Sequence, residues 1–408
     1  MDYPKRISFL CHPYHRGGVT RWMADAAIFL SNKGVEVFFI TLEPKKDFFS
    51  GQGRETLIQL IEKAGTSIKI IKTKVGRSFE FGTPYYCAII YKQVTESGLP
   101  LGTPIILSDD LYVWMAATYL HASYPIIGVL HADEEYYYKL AQNYYQSTDA
   151  FVCVSNRILK NLLEKSNLIS ANNVKVIPCG IHLPEIVYKE KDDNTLQLIY
   201  VGRLTEYQKR VSDIFKICER LYADNLQFHI TIIGEGEAKN KLIEQFRVAN
   251  MEKLATFTGW LSQNEVSDYL AVSDILVLTS DFEGMPVAMM EALSAGCGVV
   301  GTRVSGMEDY ENVPEAENCL QVYIVGNIND AVYNIKKLAS IPYVIRKNAA
   351  RTIAEKDFSM EICVNKYMEV CNSIPTRIFQ KTNIAISTKA IVLSKFRAAI
   401  RYLKVRFR

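Results

Sequence analysis

Two glutamates, Glu283 and Glu291, bracket a mostly apolar stretch of the sequence, with seven residues between them. Pro286 fits the first turn of a helix, because its missing N–H has no intrahelical partner there. Glu283 and Gly284 then precede the helix, and Glu291 lies inside it among apolar neighbours. A buried carboxylate without a partner costs on the order of several kcal/mol. Glu291 therefore needs a polar partner, which is either a ligand hydroxyl or a Lys or Arg of the chain itself.

The start of this predicted helix suits an anion. Its first N–H groups have no intrahelical partner, and the helix dipole is positive at this end, so a phosphate group fits there. The alternative is that Glu283 serves only as an N-terminal capping acid.

The surrounding sequence predicts a strand over residues 274–280, a helix ending at Gly296 and a strand over residues 297–302. This βαβ unit places the Glu-Gly loop at the carboxyl end of its first strand, where α/β proteins bind ligands. The run resembles the signature of the retaining glycosyltransferases of family 4, which have the GT-B fold. The resemblance implies that Glu291 binds the ribose hydroxyls of a nucleotide. It also implies that Glu283 lies near the sugar and diphosphate. The donor would then contact the backbone of Gly284, Met285 and Pro286.

A second motif over residues 201–213 follows a predicted strand and opens a helix. Arg203 and Lys209 could both reach a diphosphate, Arg as a two-pronged donor and Lys as a point charge; basic residues on a loop are otherwise simply solvated. The string resembles the donor-phosphate block of the same family, in which the matching Arg and Lys bind the diphosphate. Arg210 departs from the family, which often has Gly at this position.

Two further segments resemble the nucleotide-binding parts of the family. Gly234 lies in a glycine turn that is not a dinucleotide fingerprint, because Lys239 stands where the third glycine would fall. The segment containing Trp260 and Leu261 resembles the loop whose backbone reads the base, although Trp260 could equally serve packing.

In the first half of the chain, Gly17 and Gly18 separate the first predicted strand from the first helix. They could let backbone approach a ligand closely, or they form a tight turn without one. His131 follows another predicted strand, and the family often places a His near the donor sugar there. The neighbouring segment 133–135 lacks the Asp-x-Asp pattern of a metal site, so we expect a metal-independent enzyme without cofactor. Tyrosines 136–138 either line an acceptor site or pack internally.

Alternating strand and helix patterns predict an α/β fold with two Rossmann-like, doubly wound domains facing across a cleft, the GT-B architecture that the resemblance implies. The predicted limits are residues 1–185 for an acceptor-side domain and 195–372 for a nucleotide-sugar donor domain. A polar linker separates them over residues 185–194. A basic helical extension follows over residues 376–408.

Composition narrows the class of protein. The 408 residues are 49% hydrophobic, enough for large cores, and no apolar run reaches the roughly 18 residues that span a bilayer. The amino terminus leads into a strand rather than a signal peptide. Nine cysteines without a Cys-x-x-Cys pair indicate reduced thiols in a cytosolic protein.

The net charge of +3 conceals a basic tail, residues 376–408, with nine basic residues and no acidic one. Phe396, Ile400, Leu403 and Phe407 recur with helical spacing beside a basic stripe. A basic amphipathic helix is typical of an anionic membrane surface, and the alternative is a helix that docks on the body of the protein.

Together these features predict a cytoplasmic, peripheral-membrane, retaining glycosyltransferase. Its partners would be a nucleotide sugar and a glycan or lipid-linked acceptor, with no nucleic acid. The alternatives are a non-catalytic nucleotide-sugar-binding scaffold and a GT-B-like epimerase or phosphorylase.

Overall fold

The computed structural model describes residues 5–11, 18–44, 57–75, 84–108, 110–186, 195–375 and 377–381. The chain divides into two compact units. Unit 1 comprises Met1–Cys153, Leu159–Ile177 and Val364–Arg408, and unit 2 comprises Val154–Ile158 and Pro178–Cys363. Within the described ranges, no helix combines the length and apolarity needed to span a bilayer.

Unit 1 is built on a seven-stranded parallel sheet with the strand order β3-β2-β1-β4-β5-β6-β7. Its strands are β1 (Arg6–Cys11), β2 (Glu36–Pro44), β3 (Lys69–Val75), β4 (Ile105–Leu107), β5 (Ile126–Leu130), β6 (Ala150–Cys153) and β7 (Val174–Val176). The helices between them are α1 (Gly18–Asn32), α2 (Leu57–Lys63), α3 (Pro84–Glu96), α4 (Leu111–Leu120) and α5 (Glu135–Tyr144).

Unit 2 contains a six-stranded parallel sheet with the order β10-β9-β8-β11-β12-β13. Its strands are β8 (Leu196–Val201), β9 (Phe228–Ile233), β10 (Ala255–Gly259), β11 (Ile275–Leu278), β12 (Gly298–Thr302) and β13 (Leu320–Tyr323). Its helices are α7 (Ser212–Ala223), α8 (Lys239–Val248), α9 (Gln263–Val272), α10 (Val287–Ser294), α11 (Ile328–Ser340) and α12 (Tyr343–Ile353). Two more helices, α6 (Asn156–Lys165) and α13 (Met360–Ser373), contain residues of both units.

The central strands are nearly continuous apolar runs, as expected for parallel strands covered on both faces. Strands β5, β11 and β12 are buried at every residue. The core of unit 2 combines side chains of β11 and β12 with the apolar faces of flanking helices, for example Ile214, Leu242 and Ile335. Local signals fix where some helices begin: Ser262 and Glu265 form a capping box at α9.

The strand order of unit 2 fixes where its loops meet. Strand β8 pairs with β9 on one side and with β11 on the other, so the direction of winding reverses between β8 and β11. In open α/β sheets, the carboxyl ends of strands at such a reversal bound a crevice that binds ligands. The loops that follow β8 and β11 therefore define the candidate site.

The two Rossmann-like parallel sheets confirm the predicted fold class. The sequence reading missed two strands, β7 and β13, each of which lies at an edge of its sheet. These two strands are short and only partly buried, so their hydrophobic signal is weak. All nine cysteines are buried and free, in agreement with the predicted reduced thiols.

The start of the predicted basic tail packs against unit 1. The guanidinium of Arg377 pairs with the carboxylate of Asp149 and donates to the carbonyl of His121 at 2.7 Å. Ser123 Oγ donates to the carbonyl of Gln380 at 2.8 Å. The amphipathic stripe at 396–407 lies outside the described residues, so its helix remains a prediction.

Candidate functional site

The candidate site lies in unit 2, at the carboxyl ends of β8 and β11. The loop after β8 carries Arg203 and Lys209, and the loop after β11 carries Glu283. Sequence alone placed these residues in two separate motifs, 74 positions apart for the last two. The adjacency of β8 and β11 in the sheet brings the two motifs together.

The ammonium group of Lys209 forms an ion pair with the carboxylate of Glu283. The same carboxylate oxygen accepts a hydrogen bond from the Ser280 hydroxyl at 2.7 Å. Both side chains are largely buried, with 17% of the Lys209 and 11% of the Glu283 side chain exposed. A cation and a carboxylate held this way present fixed charges to any ligand that enters, with little reorganisation needed.

Backbone contacts fasten the same two loops. The Thr279 hydroxyl donates to the carbonyl of Lys209 at 2.6 Å. The amide of Asp281 donates to the carbonyl of Gln208 at 2.8 Å. The Gln208 side chain adds a third contact, since its Nε2 donates to the carbonyl of Phe282 at 3.1 Å. The charged groups therefore stand on a braced pair of loops.

Arg203 lies at the exposed side of this arrangement. Its Nη2 donates to Gln208 Oε1 at 2.6 Å. A guanidinium in reach of solvent next to a buried lysine is a suitable partner for a phosphate group, because Arg offers a planar fork of donors.

The backbone conformation of Arg210 accounts for the glycine that the resembled family often has at this position. Its backbone has φ of 45°, in the left-handed region that favours Gly. The side chain is held by two carboxylates, with Nε at 2.8 Å from Asp213 and Nη1 at 3.4 Å from Asp281. These ion pairs offset part of the roughly 1 kcal/mol or more that a non-glycine residue pays for this conformation.

The glycine turn after β9 packs directly on the loop after β8. A Cβ placed on Gly234, whose φ is +141°, would meet the carbonyl oxygen of Gly202 at 1.9 Å. A Cβ on Gly236 would likewise lie 2.2 Å from the carbonyl oxygen of Leu204. Only glycine permits this approach, so the turn has a packing role that does not depend on a nucleotide.

The turn also joins the loop after β10. The amide of Gly234 donates to the carbonyl of Gly259 at 2.9 Å, next to Trp260 and Leu261. Trp260 is 50% exposed, so its indole is accessible on the surface of unit 2 rather than committed wholly to the core.

The segment Gly284, Met285 and Pro286 leads into α10 and is buried throughout. The Gly284 carbonyl accepts from the Ser305 hydroxyl at 2.9 Å, and this contact anchors the loop to the one after β12. Pro286 occupies the N-cap position without a side-chain capping bond, one residue earlier than predicted.

Glu291 lies on the partly exposed face of α10 together with Val287 and Ala288. The sequence indicated a helix buried on all sides, which is wrong for this face. The opposite face is buried through residues such as Met290 and Leu293. A half-buried carboxylate one helical turn beyond Val287 remains compatible with a ligand hydroxyl.

Two family models match adjoining parts of the chain. The model described as "Glycosyltransferase Family 4" matches residues 16–184, and the one described as "Glycosyl transferases group 1" matches residues 185–352. Together these matches indicate a glycosyltransferase of the GT-B fold. The boundary between them falls at the start of the predicted linker, of which residues 187–194 lie outside the described part of the chain.

Curated relatives agree with this assignment. The chain is 28% identical over 215 residues to the amylovoran biosynthesis glycosyltransferase AmsK of Erwinia amylovora, covering 49% of this chain and 51% of that protein. It is 28% identical over 173 residues to the UDP-Gal:alpha-D-GlcNAc-diphosphoundecaprenol alpha-1,3-galactosyltransferase of Escherichia coli, covering 39% of this chain and 44% of the relative. The matched part thus spans about half the length of these relatives.

A solved structure extends the likeness to the whole fold. Anabaena HepE in complex with UDP-glucose superposes with a TM-score of 0.68 and 16% sequence identity, covering 90% of this chain and 99% of that one. At this identity the likeness concerns the fold alone.

The site residues predicted in unit 1 lie only partly within the described residues. Gly17 lies outside the described residues, and Gly18 is the exposed first residue of α1. His131 follows β5 as predicted but is only 8% exposed. Its ring stands edge-on to the ring of Trp22 with centroids 5.4 Å apart. The imidazole is thus positioned by packing.

The three tyrosines after His131 differ in burial, since Tyr136 is exposed, Tyr137 is partly buried and Tyr138 is buried. Tyr138 is buried, and its hydroxyl donates to Asp133 at 2.5 Å, so it packs internally. Asp133 also accepts from Asn161 at 2.8 Å. Tyr136 is 45% exposed and its hydroxyl accepts a hydrogen bond from the Leu111 amide at 3.1 Å, so its role at an acceptor site stays a prediction.

Sequence reasoning missed several residues of the unit 2 site, namely Gln208, Thr279, Ser280 and Ser305. Thr279 and Ser280 directly follow a buried strand, a position from which a hydroxyl could have been expected to face a ligand edge. Gln208 and Ser305 carry no such signal, because their roles depend on contacts with residues far away in the sequence.

Proposed function

We propose that this protein is a retaining glycosyltransferase. It would transfer a sugar from a nucleotide-diphosphate sugar to a hydroxyl of a glycan or lipid-linked acceptor in polysaccharide or glycolipid biosynthesis. The observation that carries this proposal is the ion pair of Lys209 with Glu283 at the strand-order reversal of unit 2, with Arg203 on the same loop as Lys209.

In this reaction the bond between the sugar C1 and the diphosphate oxygen breaks, and C1 bonds to the acceptor oxygen on the same face. The departing phosphate oxygen takes the acceptor proton. Arg203 and Lys209 stabilise the negative charge that grows on the leaving diphosphate, which is the kind of fixed electrostatic stabilisation that dominates many enzymes. Glu283 orients Lys209 and the sugar, and Glu291 holds the ribose.

His131 is assigned to the sugar, and Gly18, Gly234, Trp260 and Leu261 to the nucleotide part of the donor, as the family resemblance implies. The names of two relatives support the reaction class, since AmsK belongs to amylovoran biosynthesis and the Escherichia coli enzyme uses UDP-galactose.

Metal independence is part of the proposal, because Arg203 and Lys209 would neutralise the diphosphate in place of a divalent ion. Transfer should persist in EDTA. Loss of activity in EDTA that Mn²⁺ restores would contradict this part alone.

The decisive test has two stages. Purified protein is first screened by thermal shift against UDP, GDP, ADP and dTDP, and we expect one diphosphate to raise the melting temperature. Nucleotide release from the matching sugar nucleotides is then measured with and without undecaprenyl-diphosphate-linked sugars as acceptors. The anomeric configuration of the product is determined by NMR.

Each outcome selects one function. Acceptor-dependent release with retained configuration supports the proposal. Donor consumption without acceptor indicates an epimerase, and phosphate-dependent product formation indicates a phosphorylase. Nucleotide binding without turnover of any donor indicates a scaffold. An inverted product overturns the retaining mechanism but leaves sugar transfer standing.

We extend the proposal to the basic tail, which would hold the enzyme at an anionic membrane surface. Each Lys or Arg near such a surface adds about 1 kcal/mol of binding. Because Arg377 and Gln380 contact unit 1, the suitable deletion removes residues 382–408 and leaves these contacts intact. The full chain should sediment with vesicles containing phosphatidylglycerol, less at high salt, whereas the deletion should not; equal sedimentation would refute the membrane role.

A further inference from the structure

Gln208 connects the two loops of the candidate site in a way that no catalytic assignment uses. It stands immediately before Lys209, and its side chain is half-buried between the guanidinium of Arg203 and the carbonyl of Phe282. Its own carbonyl accepts from the amide of Asp281 at 2.8 Å. One residue therefore touches the loop after β8 and the loop after β11 at three points.

Chemistry fixes the orientation of this side-chain amide. A backbone carbonyl can only accept a hydrogen bond, so Gln208 Nε2 must face Phe282. The guanidinium of Arg203 can only donate, so Oε1 must face Arg203. Both demands are met by a single orientation, at 3.1 Å and 2.6 Å. Glutamine satisfies both sides, whereas glutamate repels the Phe282 carbonyl and alanine meets neither.

A hydrogen-bond partner reduces the entropy cost of ordering an exposed arginine when a ligand binds. Free in solvent, its long side chain samples many rotamers, and ordering it upon ligand binding costs conformational entropy. Gln208 holds the Arg203 side chain by a hydrogen bond of 2.6 Å, while Glu283 pairs with the Lys209 side chain and Thr279 holds the Lys209 backbone. The two cations are thereby held in advance of the diphosphate.

We infer that Gln208 is a positioning residue that pre-orders Arg203 for the diphosphate of the donor. The inference rests on the proposed function and deepens it, because it assigns the affinity for a diphosphate partly to a neutral side chain. Gln208 acts through Arg203 and does not itself need to touch the sugar.

A double-mutant cycle tests the assignment, with UDP and UMP as probes in calorimetry, and with GDP and GMP in their place if the nucleotide screen selects guanosine. Gln208→Ala should weaken diphosphate binding about tenfold and monophosphate binding by less than about threefold. In the Arg203→Ala background, the same substitution should have almost no further effect on diphosphate binding, because residues that act as a unit are non-additive. Gln208→Glu should weaken the diphosphate more than Gln208→Ala does, since a carboxylate competes with phosphate for Arg203.

Gln321 provides a matched control. It has the same pattern of contacts away from the site: its Oε1 accepts from Lys337 at 3.1 Å, and its Nε2 donates to the carbonyl of Glu317 at 2.7 Å. Gln321→Ala should leave both affinities unchanged.

The failure modes are distinct. If the wild-type protein binds no nucleoside diphosphate, the proposed function fails and the role of Gln208 falls with it. If the wild type binds but the effects of Gln208→Ala and Arg203→Ala are additive, or mono- and diphosphate weaken equally, Gln208 merely braces the loop and only this inference is overturned.

Discussion

The polar side chains at the carboxyl edges of the two parallel sheets make different kinds of contact. In unit 2, the loops after β8 and β11 hold Lys209 and Glu283 in a direct ion pair, and the Ser280 hydroxyl donates to the Glu283 carboxylate. In unit 1, His131 at the end of β5 is packed against Trp22, and the nearby Asp133 is engaged by Tyr138 and Asn161. The difference is that unit 2 brings a cation and a carboxylate together from two loops, whereas His131 in unit 1 is nearly buried beside an aromatic ring.

The largest effect is expected from removing Lys209, the cation of the unit 2 ion pair. Lys209→Met should reduce sugar transfer by about 1,000-fold, since under the proposed function it deletes the charge that stabilises the leaving group. It should also destabilise the protein by about 2 kcal/mol, because Glu283 is left largely buried without its cation.

Adding Glu283→Gln to Lys209→Met should recover most of that stability and none of the activity. Urea unfolding and turnover assays separate the two effects. Lys336→Met is the matched control, since Lys336 pairs with Asp224 at 2.7 Å on the surface of the same unit. Near wild-type transfer by Lys209→Met would exclude the catalytic assignment.

Replacing His131 tests whether this residue acts in turnover or serves packing alone. His131→Ala should lower turnover about 10- to 100-fold with nucleotide affinity unchanged, the effect of losing one hydrogen bond of about 1.5 to 3 kcal/mol. His131→Phe keeps an aromatic ring beside Trp22 but offers no ring nitrogen. If His131→Phe restores full turnover, the residue serves packing alone and the difference between the two edges is greater than proposed.

The third prediction concerns Glu291 on the partly exposed face of α10. Glu291→Gln should weaken nucleoside diphosphate binding about tenfold, because under the proposed function a carboxylate that accepts from ribose hydroxyls is replaced by a weaker acceptor. The melting temperature should change little at this half-buried position. Glu244→Gln on α8, whose carboxylate pairs with Arg247 at the surface, serves as the control. Unchanged affinity in calorimetry would indicate a structural carboxylate.

The smallest effect is expected for the contact of Arg377 with Asp149 in unit 1. The Asp149 carboxyl is desolvated by burial, which raises its pKa, but His121, the Ile126 amide and Arg377 outweigh this and leave the pKa below its usual 3.8. A lowered folded-state pKa contributes stability above pH 4 that is lost as the pH falls through the folded value.

Arg377→Ala should therefore destabilise unit 1 by about 1 kcal/mol at pH 7, and by progressively less as the pH falls below 4. Arg6→Ala offers a control in the same unit, since Arg6 makes an exposed pair with Glu36 at 2.8 Å. An Arg377→Ala effect no larger than that of Arg6→Ala, or one independent of pH, would mean that the contact with Asp149 contributes nothing measurable.

Local sequence determined much of this protein. The apolar runs and the glycine, proline and polar breaks between them predicted most strands and helices, since strand burial and helix caps depend on neighbours in the chain. Two charged motifs were recognisable one at a time, Arg203 with Lys209 and Glu283 with Glu291, because their residue types and spacing are properties of short segments.

Only the tertiary structure decided which of these residues meet. The pairing of Lys209 with Glu283, and the bridge that Gln208 forms from Arg203 to Phe282, require β8 and β11 to be neighbours in the sheet. The return of Arg377 to Asp149, 228 residues away, likewise has no local signal. Strand order and chain return depend on how the whole core packs, and a short stretch of sequence does not encode contacts between distant segments.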